Sequence, residues 1–122
     1  MINGVHALVY SPAAEQLRAF FRDTLGLPAV DAGHGWLIFG LPPAELGVHP
    51  TDVGGPAKHE LYLMCDDIHA TIKELEHKGV EFVREVMDEG FGLVTAIKLP
   101  GGGEIGLYQP KHPTALGLRP AP

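Results

Sequence analysis

Hydrophobic and polar positions along the chain fall into two similar halves. Val5 to Tyr10 has strand composition, and Ser11-Pro12 after it supplies an N-cap with proline at the first helical position. Leu17, Phe20, Phe21 and Leu25 then take the i, i+3, i+4 spacing of an amphipathic helix, which Gly26 closes. The second half repeats this grammar. Leu61 to Cys65 reads as a strand, Asp66-Asp67 as a cap, Ile68, Ile72 and Leu75 as a helix face, and Gly79 as its stop. Shorter β-like runs follow each helix: 29–32, 36–39 and 45–49 in the first half, 81–86, 91–99 and 104–109 in the second. The last run of each half carries nearly the same phrase, "AELGVH" and "GEIGLY". An offset of 53 to 54 residues relates His6 to Glu60 and Gly26 to Gly79. The pattern predicts a duplicated unit of strand, helix and three strands.

Because strands alternate faces, parity sorts the side chains. His6, Leu8 and Tyr10 share a face, as do Glu60, Tyr62 and Met64. So do Glu45, Gly47 and His49, and likewise Glu104, Gly106 and Tyr108. The opposite faces are almost purely apolar and suit packing beneath the helices. If four such strands curve around one cleft, it collects His6, Glu45, His49, Glu60 and Glu104 with a tyrosine lining. Imidazoles and carboxylates converging in this way suit a divalent metal, and the neighbouring glycines leave room for a ligand near the sheet. Each residue also has a plainer reading. His6 can be a half-buried strand histidine, Glu60 one end of a salt bridge, Glu45 and Glu104 exposed strand starts, and His49 a surface residue. His34, His59, His69, His77 and His112 lack convergent partners and read as surface. Cys65 reads as core, and Trp36, Phe39 and Phe91 suit either the lining of a ligand cavity or, more plainly, core packing.

Composition narrows the classes. The net charge is -6, and the basic residues are too scattered to track a phosphate backbone, so nucleic acid is not an expected partner. A single cysteine permits no internal disulfide. No segment has the make-up of a signal peptide or the length of a membrane span, and a cytoplasmic protein is expected. The 16 glycines and 11 prolines fall between apolar runs and mark turns. One domain over 1–113 is expected, with modules at about 4–52 and 57–110 and a loosely ordered tail at 114–122.

The stretches "VHALVYSPAAEQLRAFFRDTLGL", "ELYLMCDDIHATIKELEHKGVEF" and "LPGGGEIGLYQP" resemble the vicinal oxygen chelate superfamily. That group includes glyoxalase I, bleomycin-resistance proteins and extradiol dioxygenases. The resemblance implies an α+β fold in which tandem βαβββ modules form a curved mixed sheet, a glyoxalase-like roll. It also implies a cleft completed by module pairing, commonly in a homodimer. Glyoxalase-type members hold a metal with His, Glu, His and Glu from four strands. Carried onto this chain, those positions are His6, Glu45, Glu60 and Gly106, with Glu104 two residues earlier on the same face. The histidine of the third position and the last glutamate of the pattern are therefore absent.

Three functions follow from the resemblance. One is a glyoxalase-like, lyase or isomerase type enzyme acting on a small substrate chelated through adjacent oxygens. In it His6, Glu45 and Glu60 would hold Zn²⁺, Mn²⁺, Ni²⁺ or Mg²⁺. Glu60 or Glu45 would also act as base, and Tyr62, Tyr108, Glu104 and His49 would contact the substrate. The second is a metal-free binding or sequestering protein of the bleomycin-resistance type. The third is a protein related to ring-cleaving dioxygenases or one with a metal-independent reaction.

Overall fold

A computed structural model describes residues 6–51 and 53–118; Val5 and the last four residues of the expected tail lie outside that range. Helix α1 (Ala14–Ala19) begins two residues later than the Ser11 cap and Pro12 first position predict, with Ala13 as its N-cap and no side-chain cap hydrogen bond. The Ser11 hydroxyl accepts the Ala13 N–H at 3.0 Å. The helix then widens into a π-helical turn, Phe20–Thr24, closed by Leu25 N–H donating to the Phe20 carbonyl at 3.1 Å. Gly26, at φ +71°, ends it, and Leu27 N–H reaches back to Phe21. The extra residue in this turn accompanies the placement of Phe20, Phe21 and Leu25 together against the core. A two-stranded antiparallel hairpin follows, β1 (Ala29–Asp31) with β2 (Leu37–Phe39). The Phe21 and Phe39 rings join helix to hairpin edge-to-face at 5.7 Å.

The second half is better built. Strand β3 (Tyr62–Met64) leads to helix α2 (Ile68–His77), where Asp67 Oδ1 accepts the Ala70 N–H at 3.1 Å. The helix stops in a Schellman closure. Val80 N–H donates to Leu75 and Gly79 N–H to Glu76, with Gly79 at φ +87°. Strands β4 (Met87–Asp88), β5 (Gly92–Lys98) and β6 (Glu104–Pro110) complete a mixed sheet of order β3-β6-β5-β4. Strand β3 runs parallel to β6, and the other pairs are antiparallel.

Both helices cover one face of this sheet. Leu17, Ile68, Leu75, Val80, Ile97, Leu99, Ile105 and Leu107 form a single buried cluster, with Phe20, Phe21, Leu63 and Ile72 packed against it. Each fully buried aliphatic side chain contributes about 1.5–3 kcal/mol. Thr95 is buried among them and satisfies its hydroxyl by donating to the Arg84 carbonyl at 2.7 Å. The observed architecture is the expected α+β class, with small helices on curved mixed sheets.

The structure departs from the sequence reading in three strands. Residues 6–10 and 45–49 carry no strand pairing, and 81–86 contributes only an isolated bridge, Phe82 to Ile97. The first two runs have strand composition but no paired strand among the described residues, and an extended segment alone cannot satisfy its backbone groups. Among the described residues no helix is long and apolar enough to cross a membrane.

Candidate functional site

With helices on one side, the sheet leaves its other face open. Register places Tyr62 opposite Gly106, and Met64 and Val94 on either side of Tyr108. These residues share the open face, while Leu63, Thr95, Ile97, Ile105 and Leu107 point to the core. The alternation read from sequence for Glu60–Met64 and Glu104–Tyr108 therefore survives folding.

Two glycines set how the tyrosines lie. A Cβ built on Gly106 would stand 2.1 Å from the Tyr62 ring, and one on Gly92 would stand 2.4 Å from the Tyr108 ring. The rings lie across bare backbone. This corrects the expectation that the glycine at 106 leaves room for a ligand, because the Tyr62 ring fills that space. The rings then continue as a chain of contacts. Tyr62 meets Tyr108 at 6.0 Å, Tyr108 meets Phe91 at 5.9 Å, and Phe91 meets His49 at 5.7 Å. Tyr62 is 40% and Phe91 42% exposed, so the cluster is a surface with aromatic rings half out of water.

The acidic residues are each held by a different partner. Glu60 accepts the Tyr62 hydroxyl at 2.6 Å and pairs with Lys58 at 2.9 Å. The hydrogen bond from Tyr62, then that from Lys58, lowers the Glu60 carboxyl below its ordinary range. The same bond, seen from the phenol, pushes Tyr62 up to about 12. Glu104 takes both of its oxygens to the Arg84 guanidinium, at 2.8 and 3.1 Å. Glu45 accepts the Ala115 N–H at 2.8 Å and lies 3.7 Å from His112 Nε2. Tyr108 hydrogen-bonds His112 Nε2, and burial raises its phenol, helped by the Glu45 charge. Cys65 packs at the edge of the core, where burial raises its thiol, in keeping with its reading as a core residue.

Of the expected site residues, Tyr62, Tyr108 and His49 join one aromatic surface, with Glu60 hydrogen-bonded to Tyr62 at its side. Glu104 is tied to Arg84 on the same strand face, and Glu45 is bound to the segment after β6. His6 is exposed, near the start of the described chain. Among the described residues no three His, Cys, Asp or Glu side chains converge as metal ligands. The donors proposed for a divalent ion do not fit one in this chain by itself, since Glu60 and Glu45 spend their oxygens on Tyr62, Lys58, Ala115 and His112. Sequence reasoning misses His112, which it reads as surface, and favours core packing over cavity lining for Phe91. The spacing of His112, four residues beyond Tyr108, offered a signal, but Pro110 ends the strand and parity stops there. Two hollows of about 270 and 420 Å³ open elsewhere, one beside Phe20 and Val80 and one beside Pro28 and Leu41. Neither borders the aromatic face.

Residues 5–107 match the family described as the Glyoxalase/Bleomycin resistance protein/Dioxygenase superfamily. Among solved structures, the antibiotic binding protein TnmS3 from Streptomyces sp. CB03234 is similar, at 25% identity and a TM-score of 0.64 over 90% of this chain and 98% of that one. A glyoxalase/bleomycin resistance protein from the same organism superposes with a TM-score of 0.56 at 24% identity, covering 83% of this chain and 95% of the other. Lactoylglutathione lyase from Agrobacterium tumefaciens, at 16% identity, gives 0.61 over 88% and 92% and shows a shared fold alone. No curated protein is matched by the sequence. Agreement over most of the chain in sequence pattern and in fold makes this protein a member of the glyoxalase/bleomycin resistance protein/dioxygenase superfamily.

Proposed function

We propose that this protein binds and sequesters a small, flat aromatic molecule on the open face of its main sheet. The observation that carries this reading is the run of half-exposed rings, Tyr62, Tyr108 and Phe91, two of them laid over glycine. An aromatic ligand stacked there gains about 0.5–1.5 kcal/mol per ring pair beyond its area burial. Similarity to an antibiotic binding protein supports the same reading. The metalloenzyme alternative, with His6, Glu45 and Glu60 as ligands, needs two carboxylates to leave their present partners. A second copy of the chain is proposed to close the cleft, because among the described residues the Tyr62 and Phe91 rings stay 40% and 42% exposed.

Two measurements test this. Amide shifts of labelled protein titrated with planar aromatic antibiotics are expected to move at Gly92, Gly106 and their neighbours. Metal content of the purified protein, before and after incubation with Mn²⁺, Ni²⁺ and Zn²⁺, is expected to stay substoichiometric. One equivalent of metal that disappears in Glu60→Ala would overturn the binding reading in favour of the metalloenzyme.

A further inference from the structure

The two phenols on the open face have both committed their protons inward. Tyr62 lies 2.6 Å from a Glu60 carboxylate oxygen, a length typical of O–H···O⁻. An ionised carboxylate can only accept, so the phenol is the donor. A phenol has one proton, and the Tyr62 oxygen therefore offers the cleft lone pairs only. Its ionisation near 12 agrees with a proton held by that bond.

Tyr108 reaches the same condition by another route. His112 Nδ1 lies 2.8 Å from the Pro113 carbonyl oxygen, which has no proton to give. Nδ1 is therefore the protonated nitrogen. In the neutral ring Nε2 then carries a lone pair, and the Tyr108 hydroxyl donates to it. The second phenol oxygen is also left as an acceptor. The nearby Glu60 and Glu45 carboxylates are acceptors too, already engaged by Tyr62, Lys58 and Ala115, and neither supplies a donor to the face. The cations at this edge, Lys58 and Arg84, are paired with Glu60 and Glu104.

We infer that the open face recognises flat aromatic molecules carrying N–H or O–H donors and discriminates against those whose polar atoms only accept. The inference rests on the binding role proposed above and adds the polarity of that site. His112 acts in it as a positioning residue, since it fixes the direction of the Tyr108 hydroxyl without touching the ligand.

The test uses a matched pair of probes, indole and 1-methylindole, which differ in one N–H donor. Both are titrated into labelled full-length protein at about pH 8 while the Gly92 and Gly106 amides are followed. Indole is expected to bind about tenfold more tightly, the worth of one net hydrogen bond. In Tyr62→Phe/Tyr108→Phe that ratio is expected to fall to about one. Equal affinities in the unmodified protein would overturn the donor rule while leaving the aromatic binding face standing. So would an indole preference that persists in the folded double variant. If neither compound shifts the face, the binding reading itself falls, and the donor rule falls with it.

Discussion

At Gly106 the resemblance to glyoxalase-type proteins leads one to expect a glutamate, and the structure shows what the glycine accommodates. The Tyr62 ring lies over the bare backbone, with Cδ1 at 2.1 Å and Cγ at 2.8 Å from where a Cβ would stand. The ring base, and not a flexible tip, must therefore move if a side chain is added. In most strands Gly→Ala is neutral or helpful. Here Gly106→Ala is expected to cost about 1–3 kcal/mol, read as a lower urea midpoint, and to weaken ligand binding because Tyr62 swings off the face. An unchanged midpoint would show that the ring is free to move. The Tyr62–Glu60 hydrogen bond gives a second prediction. The phenol is raised to about 12, above its ordinary value of about 10. Its contribution to stability is thus fully present below about pH 10 and is lost as pH rises through about 12. Glu60, shifted down, contributes above the ordinary carboxylate range and loses that contribution as pH falls through its lowered value. Glu60→Gln is expected to bring one phenol's ionisation down toward the ordinary value in a spectrophotometric titration. A titration curve identical to that of the unmodified protein would contradict the bond.

Among the elements, α2 and the β5–β6 pair were legible in the sequence because their signals are local. Asp67, the Ile68/Ile72/Leu75 stripe and Gly79 each act within a turn or two of their own position, and all three took their expected roles. The alternation of Glu104, Ile105, Gly106, Leu107 and Tyr108 likewise set the two faces of β6. Residues 6–10 and 45–49 have equally good strand composition, yet no strand forms. Pairing is a property of two segments, and composition speaks for only one of them. The same reason hid part of the site. Glu45 was assigned by parity to a strand, but in an irregular segment parity loses its meaning, and its carboxylate turns instead to Ala115 and His112. The α2 cap can be tested directly. Asp67→Ala removes the acceptor for the Ala70 N–H, and a loss of about 0.5–2 kcal/mol is expected. The Ile68 N–H has its own partner in Gln109 Oε1 at 2.9 Å. Gln109→Ala removes a second acceptor from the same first turn, so its loss and that of Asp67→Ala are expected to couple in the double variant. A stability unchanged in both variants would mean that the helix start is fixed by packing alone.

For the molecule as a whole, the distribution of apolar surface is uneven. The second half supplies most of the buried core, while the first half leaves Leu8 68%, Tyr10 88%, Leu46 91% and Val48 90% exposed. These lie in the two runs that have strand composition and no strand partner among the described residues. The main sheet, for its part, ends at β3, whose outer edge is unpaired among the strands of that sheet. Strand-forming segments without a strand and an edge without a neighbour are complementary deficits. A second copy of the chain would satisfy both by bringing such a segment to the β3 edge, beside Tyr62 and the aromatic face. Light scattering on the purified protein is therefore expected to give about twice the 13.1 kDa of one chain. Leu8→Lys tests the location. The side chain is exposed within the single chain, so the change should leave the folded core intact. In a dimer it would place a charge in a buried seam, at a cost of about 2 kcal/mol or more. The expected result is a shift toward monomer at micromolar concentration with α2 and β5–β6 still folded, together with weaker binding of aromatic ligands because the face has lost its cover. A protein that is monomeric before the substitution, and binds its ligand equally well after it, would show that the open face works uncovered.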